Sequence, residues 1–211
     1  MSKIYLLSNQ KYDAVENLEV FKIEYIPSEI DFSIYDALII SSKNAIYSLN
    51  SFTKDWKKIP CYAIAEKTAK VIKEEGGLIE FVGSSGHGND FAKEILPLVK
   101  NKKVLYVRAL KVVSNIFQIL KDNDISINQA ITYKTVCNEN LNKIIENNSV
   151  IIFTSPSSIK CFFNKYTWDS SYKAIVIGNT SAKYMPKNIK FEVSSKTSIE
   201  ECIKLAKKWT F

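Results

Sequence analysis

The sequence predicts an α/β protein of two similar lobes, each a parallel sheet flanked by helices, and three observations predict it. Along the 211 residues, apolar runs of strand length alternate with stretches of helical spacing, the pattern of parallel strands joined by crossover helices. One unit of that pattern is written twice. Residues 37–69 carry Ala-Leu-Ile-Ile-Ser-Ser-Lys-Asn-Ala-Ile and then Cys-Tyr-Ala-Ile-Ala-Glu-Lys-Thr-Ala; residues 150–182 carry Val-Ile-Ile-Phe-Thr-Ser-Pro-Ser-Ser-Ile and then Ala-Ile-Val-Ile-Gly-Asn-Thr-Ser-Ala. A single shift superimposes Ser42 on Ser155 and Thr68 on Ser181, since 155 − 42 and 181 − 68 both equal 113. Third, no Gly/Pro/Ser linker or low-complexity stretch divides the chain. Two topologies fit. Either the lobes are sequential, or the terminal segments build one lobe and the middle builds the other, with two strands crossing between them.

Taken in order, the strand-like runs fall at 3–7, 20–26, 36–40, 59–64, 78–82, 103–107, 125–133, 149–153, 173–177 and 189–193. Helical spacing follows the hydroxyl pairs Ser41-Ser42 (Ala45, Ile46, Leu49) and Thr154-Ser155 (Ile159, Phe162, Phe163). It recurs at Phe91, Ile95, Leu96 and Val99, at Ile116, Phe117 and Leu120, and at Ile199, Cys202, Ile203 and Ala206. Asn89 and Ser198 stand where N-caps belong. A βαβ piece is expected at 3–26 and another at 102–133, each ahead of one copy of the repeat.

With 46% apolar and 24% charged residues, the chain can bury a substantial core. No apolar run approaches bilayer-spanning length, and the N-terminal apolar stretch is too short for a signal peptide, so a cytoplasmic protein is expected. The cysteines at 61, 137, 161 and 202 show no paired metal spacing and are read as free, mostly buried thiols. The single histidine, His87, excludes any mechanism needing two imidazoles and is read as an exposed loop residue. Net charge is 29 − 22 = +7, nearly all lysine, with Arg108 the only arginine. Such a balance favours acidic partners, but scattered lysines do not make a nucleic-acid surface.

Each strand–hydroxyl–helix unit places a capping serine beside the free N–H groups of a first helical turn, a setting suited to anions. Neither a P-loop lysine pattern nor the full dinucleotide glycine pattern is present, which argues against nucleotide phosphate. Acid–base candidates are few. Tyr133 closes the strand-like run at 125–133, where packing with the hydroxyl in water is the ordinary role of a tyrosine. Arg108, after Val104–Val107, stands at a strand's carboxyl end, either on a carboxylate or in an exposed ion pair. A signalling receiver would need acidic residues clustered at a strand end, and Asp31 and Asp36 only flank one.

These residues resemble the uroporphyrinogen-III synthases. The likeness is carried by Ile39–Ala45, Ala63–Ala69, Leu105–Ala109, Tyr133-Lys134-Thr135, Phe153–Ser158, Val176–Ala182 and Ser195–Ser198, in order over nearly the whole chain. It implies the crossing topology: one lobe from 1–22 plus 138–211, the other from 29–128, with linker strands at 23–28 and 129–137 and an active-site cleft between the lobes. It implies a cyclising hydro-lyase without metal or organic cofactor. The substrate would be hydroxymethylbilane, a linear tetrapyrrole with eight carboxylates, closed to uroporphyrinogen III with inversion of the last ring and loss of water. Residue by residue, Ser42 and Thr68 match the family's hydroxyls in one lobe, Ser155, Thr180 and Ser181 those of the other, and Tyr133 its cleft tyrosine. Arg108 joins them as a substrate-binding candidate. Ala65 departs from the family's usual glycine, retained as Gly178; a left-handed or close-approach backbone there would disfavour alanine, which leaves the effect on the geometry around Thr68 open. A monomer acting on a small molecule, with neither nucleic acid nor membrane as partner, is expected. The rival reading is a non-catalytic two-lobed binding protein for a small anionic ligand.

Overall fold

Each of the ten apolar runs forms a strand in the computed structural model, which describes residues 2–209. In chain order the elements are β1 (Ile4–Leu7), β2 (Glu16–Asn17), β3 (Phe21–Tyr25), β4 (Ala37–Ile40), α1 (Lys43–Asn50), β5 (Pro60–Ala63), α2 (Glu66–Glu74) and β6 (Leu78–Val82). Next come α3 (Gly88–Val99), β7 (Val104–Ala109), α4 (Ile116–Lys121), β8 (Ile127–Cys137) and β9 (Val150–Phe153). The remaining elements are α5 (Pro156–Lys165), β10 (Lys173–Val176), α6 (Asn179–Ala182), β11 (Phe191–Val193) and α7 (Ile199–Lys207).

The contacts divide the chain into two units. Unit 1 takes the residues up to Lys22 and those from Val136 onward; unit 2 runs from Ile23 to Thr135. Their sheets have the orders β11-β10-β9-β1-β2 and β3-β8-β7-β4-β5-β6. The repeat is reproduced in register: Leu38 pairs with Cys61, and Ile151, at 38 + 113, pairs with Ala174, at 61 + 113. Both ladders are parallel, as the crossover helices require. The chain passes between the units inside β3 and β8, which lie side by side. Ile26 N–H donates to Thr132 O and Asn138 N–H to Val20 O, so these two strands run antiparallel.

Continuous apolar runs in the central strands reflect burial on both faces. In unit 2, Leu38, Ile40, Leu105 and Val107 pack under α1 and α2, whose Ala45, Ile46, Leu49, Ala69 and Ile72 face them. On the other face, Ile39, Val104 and Tyr106 meet Phe91, Ile95 and Ile116 of α3 and α4. Unit 1 follows the same plan, with Phe162 of α5 on one face and Cys202 and Ala206 of α7 on the other. Truncating a fully buried residue such as Leu49 to alanine costs about 2–5 kcal/mol, because the cavity only partly closes.

Several expectations are corrected. Residues 3–26 are not a βαβ piece: β1 is followed by the two-residue β2 and then β3, because the thirteen polar-rich positions between the long strands carry no helical apolar stripe. α3 starts one residue before Asn89, with His87 at the N-cap; Asn89 Oδ1 instead accepts the Asn115 N–H at 2.8 Å, tying α3 to the start of α4. Ser198 does cap α7, accepting the Glu201 N–H at 3.1 Å. The cysteines are not all free: Cys137, at the end of β8, is disulfide-bonded to Cys161 on α5, while Cys61 and Cys202 are buried thiols. Sequence spacing hides that pair, because only the packing of α5 against the chain entering unit 1 brings the two Cα atoms to 5.1 Å. No helix among the described residues is long and apolar enough to cross a membrane.

Candidate active site

In a parallel sheet every helix of the repeat starts at the carboxyl end of a strand, so capping side chains and free N–H groups gather along one edge. In unit 2 that edge carries a network of hydroxyls. Successive residues of extended chain point to opposite faces, and Ser41 and Ser42, which follow β4, stand near tyrosines on opposite faces of the sheet. Ser41 Oγ lies 3.1 Å from Oη of Tyr106, whose ring packs with α3 and α4. Ser42 stands near the phenol of Tyr133, whose ring packs with α1 and α2. Burial raises the Tyr106 phenol above the usual tyrosine range, and the hydroxyls of Ser41 and of Ser114, in the loop after β7, oppose that shift.

Tyr133 owes its orientation to an irregularity. β7 and β8 pair in step from Val104 with Ile127 to Arg108 with Ile131, and then Ala109 pairs with Tyr133, leaving Thr132 as an extra residue. Such a bulge re-aims the side chain that follows it. Ala130 and Tyr133 therefore lie in the same cluster, although three positions apart, a spacing that an unbroken strand puts on opposite faces. Thr132 is fully buried; its carbonyl accepts from Ile26 N–H at 2.7 Å and from the Ser48 hydroxyl of α1. Its own hydroxyl finds no partner among the described residues. The expectation that Tyr133 ends its strand is thus corrected, and its packing role holds. β8 continues to Cys137, and Tyr133 is 6% exposed. Burial pushes its phenol above the usual tyrosine range, the Ser42 hydroxyl opposes that shift, and Tyr106 adds to it.

Arg108 sits beside this network. Its Nε donates to Gln129 Oε1 at 2.6 Å, and Nη1 donates to the carbonyls of Ala109 and Leu110 at 2.8 and 3.2 Å, all neutral oxygens. Two lysines stand at the helix starts. Lys43 is the first residue of α1 and Lys67 the second of α2; burial first, and then the Lys67 ammonium, hold Lys43 below the usual lysine range. Ser42 caps α1 by accepting the Asn44 N–H at 3.2 Å, whereas α2 begins at Ala65 with no side-chain cap. Thr68 lies in the first turn of α2, buried at 7% exposure, so it does not stand at the cap.

Unit 1 repeats the edge with different chemistry. Ser155 forms a full capping box with Ser158: each side chain accepts the other residue's N–H, at 3.1 and 3.0 Å. Thr154 Oγ1 donates to Leu7 O at 2.5 Å, joining the ends of β9 and β1. At the α6 start Thr180 is exposed and Ser181 is buried in the first turn. The left-handed backbone that would disfavour alanine at position 65 is absent. Ala65 (φ −164°, ψ 166°) and Gly178 (φ 176°, ψ 169°) are both extended, a conformation open to any residue. Glycine at 178 gives room instead, since a Cβ there would lie 3.3 Å from Thr197 Oγ1.

The structure therefore sets Ser42 near Tyr133 and Arg108 by Tyr106, and places Thr68 in the first turn of the next helix. Ser155, Thr180 and Ser181 line the corresponding edge of unit 1. Sequence reasoning missed Tyr106, Ser114, Lys43 and Lys67 as members of the edge. Two tyrosines and two lysines next to a repeated strand–serine junction were the available signal. No cluster of three or more His, Cys, Asp or Glu side chains among the described residues is placed to hold a metal. A hollow of about 420 Å³ in unit 2, lined by Asp31, Phe32, Tyr35, Asp55 and Lys58, lies at the amino ends of the strands, away from this edge.

The family profile described as uroporphyrinogen-III synthase HemD matches residues 20–204. Among solved structures, the chain resembles the uroporphyrinogen-III synthetase of Helicobacter pylori 26695 at 31% identity, with a TM-score of 0.86 and 99% of each chain covered. It shares the fold of a mutant uroporphyrinogen III synthase from Thermus thermophilus at 13% identity, with a TM-score of 0.56 and 99% of each chain covered. No curated protein matches it.

Proposed function

The chain belongs to the uroporphyrinogen-III synthase family, and from that premise we propose that it closes hydroxymethylbilane to uroporphyrinogen III with Tyr133 as the proton donor. The observation that carries the assignment of Tyr133 is its bulge-set orientation, which turns a buried ring onto α1 and sets its phenol near that helix's capping serine. The reaction begins as the pyrrole nitrogen of the first ring pushes hydroxide from the hydroxymethyl carbon, leaving an azafulvene. Tyr133 donates a hydrogen bond to the departing oxygen and passes it a proton, so that water leaves. The substituted carbon of the last ring then attacks the azafulvene methylene, giving a spiro intermediate. Its rearrangement inverts the ring, and the proton lost on final closure restores the phenol. Net change is loss of one water with no oxidation or reduction, and the pyrrole itself supplies the driving electrons. We therefore assign no metal or organic cofactor.

The uncatalysed closure gives the non-inverted isomer, so the protein's main contribution is orientation. Eight carboxylates suit Lys43 and Lys67 at two helix starts, where the free N–H groups carry partial positive charge. Thr68 and Arg108 from unit 2, and Ser155, Thr180 and Ser181 from unit 1, complete the binding groups we assign. We further propose a monomer working in the cytoplasm on this small molecule, without nucleic acid or membrane. Incubation with enzymatically generated hydroxymethylbilane, followed by separation of the product isomers, tests the reading. Uroporphyrinogen III is the expected product; only the non-inverted isomer, at the rate of the buffer alone, would overturn it.

A further inference from the structure

The strand order of unit 2 reverses beside β4. From β4 the chain steps outward through β5 to β6, and α3 then returns it to β7 on the other side of β4. Accordingly α1 covers one face of the sheet and α4 the other. Loops that leave neighbouring strands for opposite faces part at the carboxyl ends, and the crevice between them is where open α/β sheets take their ligands. One wall of this crevice is Ser41-Ser42-Lys43, the polar start of α1. The other is the loop from β7 to α4, Leu110-Lys111-Val112-Val113-Ser114-Asn115, and its character is different. Leu110, Val112 and Val113 are exposed, Val113 at 72%, more than any other large apolar side chain of unit 2. Both ends of the loop are fastened. Leu110 N–H donates to Tyr133 O at 2.8 Å, and Arg108 Nη1 donates to the carbonyls of Ala109 and Leu110. At the far end Asn89 Oδ1 accepts the Asn115 N–H, and Gly88 passes so close that a Cβ on it would lie 2.4 Å from that of Ser114. Single exposed apolar residues are ordinary, but three within four positions of an anchored loop form a patch of the kind that binds something.

The binding groups assigned above are lysines, an arginine and hydroxyls, which suit carboxylates; none of them suits a pyrrole ring. We propose that Leu110, Val112 and Val113 are ring-contact residues: they pack on the pyrrole that carries the hydroxymethyl group and keep bulk water from the azafulvene. This role rests on the proposed reaction and extends it from the carboxylates to the rings. The need for it is chemical. Once water has left, the azafulvene methylene is electrophilic. A solvent molecule that adds its oxygen there, while one proton returns to the ring nitrogen, re-forms the hydroxymethyl group and undoes the first step without any net change. An apolar wall at the start of the Tyr133 edge lets the departing water go and keeps other waters out.

The test supplies enzymatically generated hydroxymethylbilane in heavy-oxygen water to wild type, to Leu110→Ser, Val112→Ser and Val113→Ser combined in one chain, and to Val113→Ser, Val113→Ile and Leu78→Ser singly. KM is measured, and mass spectrometry reads the label in recovered substrate, corrected for buffer alone. Leu78, exposed at the amino end of β6, controls for apolar surface on the opposite edge of the same sheet. The combined variant should raise both KM and the label returned per product by about fourfold to fifteenfold, the fold-change of one or two lost methylene contacts. Val113→Ser keeps the fold, since its side chain lies mostly in solvent, and should raise both readings by about twofold to fourfold, up to one methylene's worth. Val113→Ile, which restores the apolar contact, and Leu78→Ser should match wild type. Wild-type KM and labelling in Val113→Ser and in the combined variant, or changes of equal size in Leu78→Ser, would overturn the wall and leave the reaction standing. Only non-inverted product at the buffer rate from wild type would remove the reaction itself, and the wall with it.

Discussion

In unit 2 the strand beside β4 is β7, which follows it in the chain; in unit 1 the strand in that place, beside β9, is β1, which comes first. The register is nevertheless shared, for Ala37 pairs with Val104 and Val150, at 37 + 113, pairs with Ile4. Tyr106 of unit 2 thus corresponds to Leu6 of unit 1, Arg108 to Ser8, Lys43 to Pro156 and Lys67 to Thr180. One backbone plan carries phenols and ammonium groups in one unit and neutral hydroxyls with a closed capping box in the other. The scaffold fixes where helix starts point, and a few substitutions on it decide which side chains those starts present. The units also differ in how they hold β8. Ser48 on α1 donates to Thr132, while Cys161, at 48 + 113 on α5, is bonded to Cys137.

That last contrast gives the largest expected effect. The bridge spans 24 residues of sequence, and reducing it or making Cys161→Ser should destabilise unit 1 by about 3 kcal/mol, from restored freedom of the unfolded chain. Ser48→Ala should cost unit 2 about 1 kcal/mol. Calorimetry with and without reductant reads the difference, and identical melting in both would mean that the bridge is absent in solution.

A catalytic contrast comes next. Tyr133→Phe should keep the fold and lower kcat by about tenfold to a hundredfold, the weaker end of general-acid contributions, with the inverted isomer still the enzymic product. Single-turnover kinetics on the folded variant decide it, and wild-type kcat would leave orientation as the whole of catalysis. Charge is the third difference. Lys43→Met and Lys67→Met should each raise KM by about twofold to fivefold and flatten its increase with salt, as expected for screened ionic contacts. Thr180→Ala, the neutral counterpart of Lys67, should change KM by less than about twofold. A salt-independent KM in wild type would argue against lysine-held carboxylates. The smallest effect belongs to Gly178→Ala, which should shift stability by no more than about 0.5 kcal/mol, since its backbone is extended and only Thr197 must give way. Loss of several kcal/mol there would show that the two helix starts are not equivalent.

The repeat made much of this legible. Apolar runs such as Val150–Phe153 and serines such as Ser155 report burial and capping, which depend on local spacing alone. What stayed hidden depends on partners distant in sequence. Nothing in Ala130–Tyr133 announces that Thr132 is extra, because a bulge is defined by the strand opposite. Tyr133 consequently looked like a strand-end residue and proved to be a core residue within a longer strand. Cys137 and Cys161 were misread for the same reason, and Lys43 looked like one lysine among many until Lys67 was brought near it.

The permuted strand order has a consequence for synthesis. Unit 2 is continuous from Ile23 to Thr135, so it can complete its sheet while the ribosome is still at work. β1 cannot, because its neighbour β9 begins at Val150 and all four of its residues are destined for burial. At about 5–20 residues per second, Tyr5, Leu6 and Leu7 wait several seconds, exposed outside the exit tunnel, before their sheet exists. During that interval the already folded unit 2 is tethered to an unpaired apolar strand, the part of the nascent chain most in need of a chaperone.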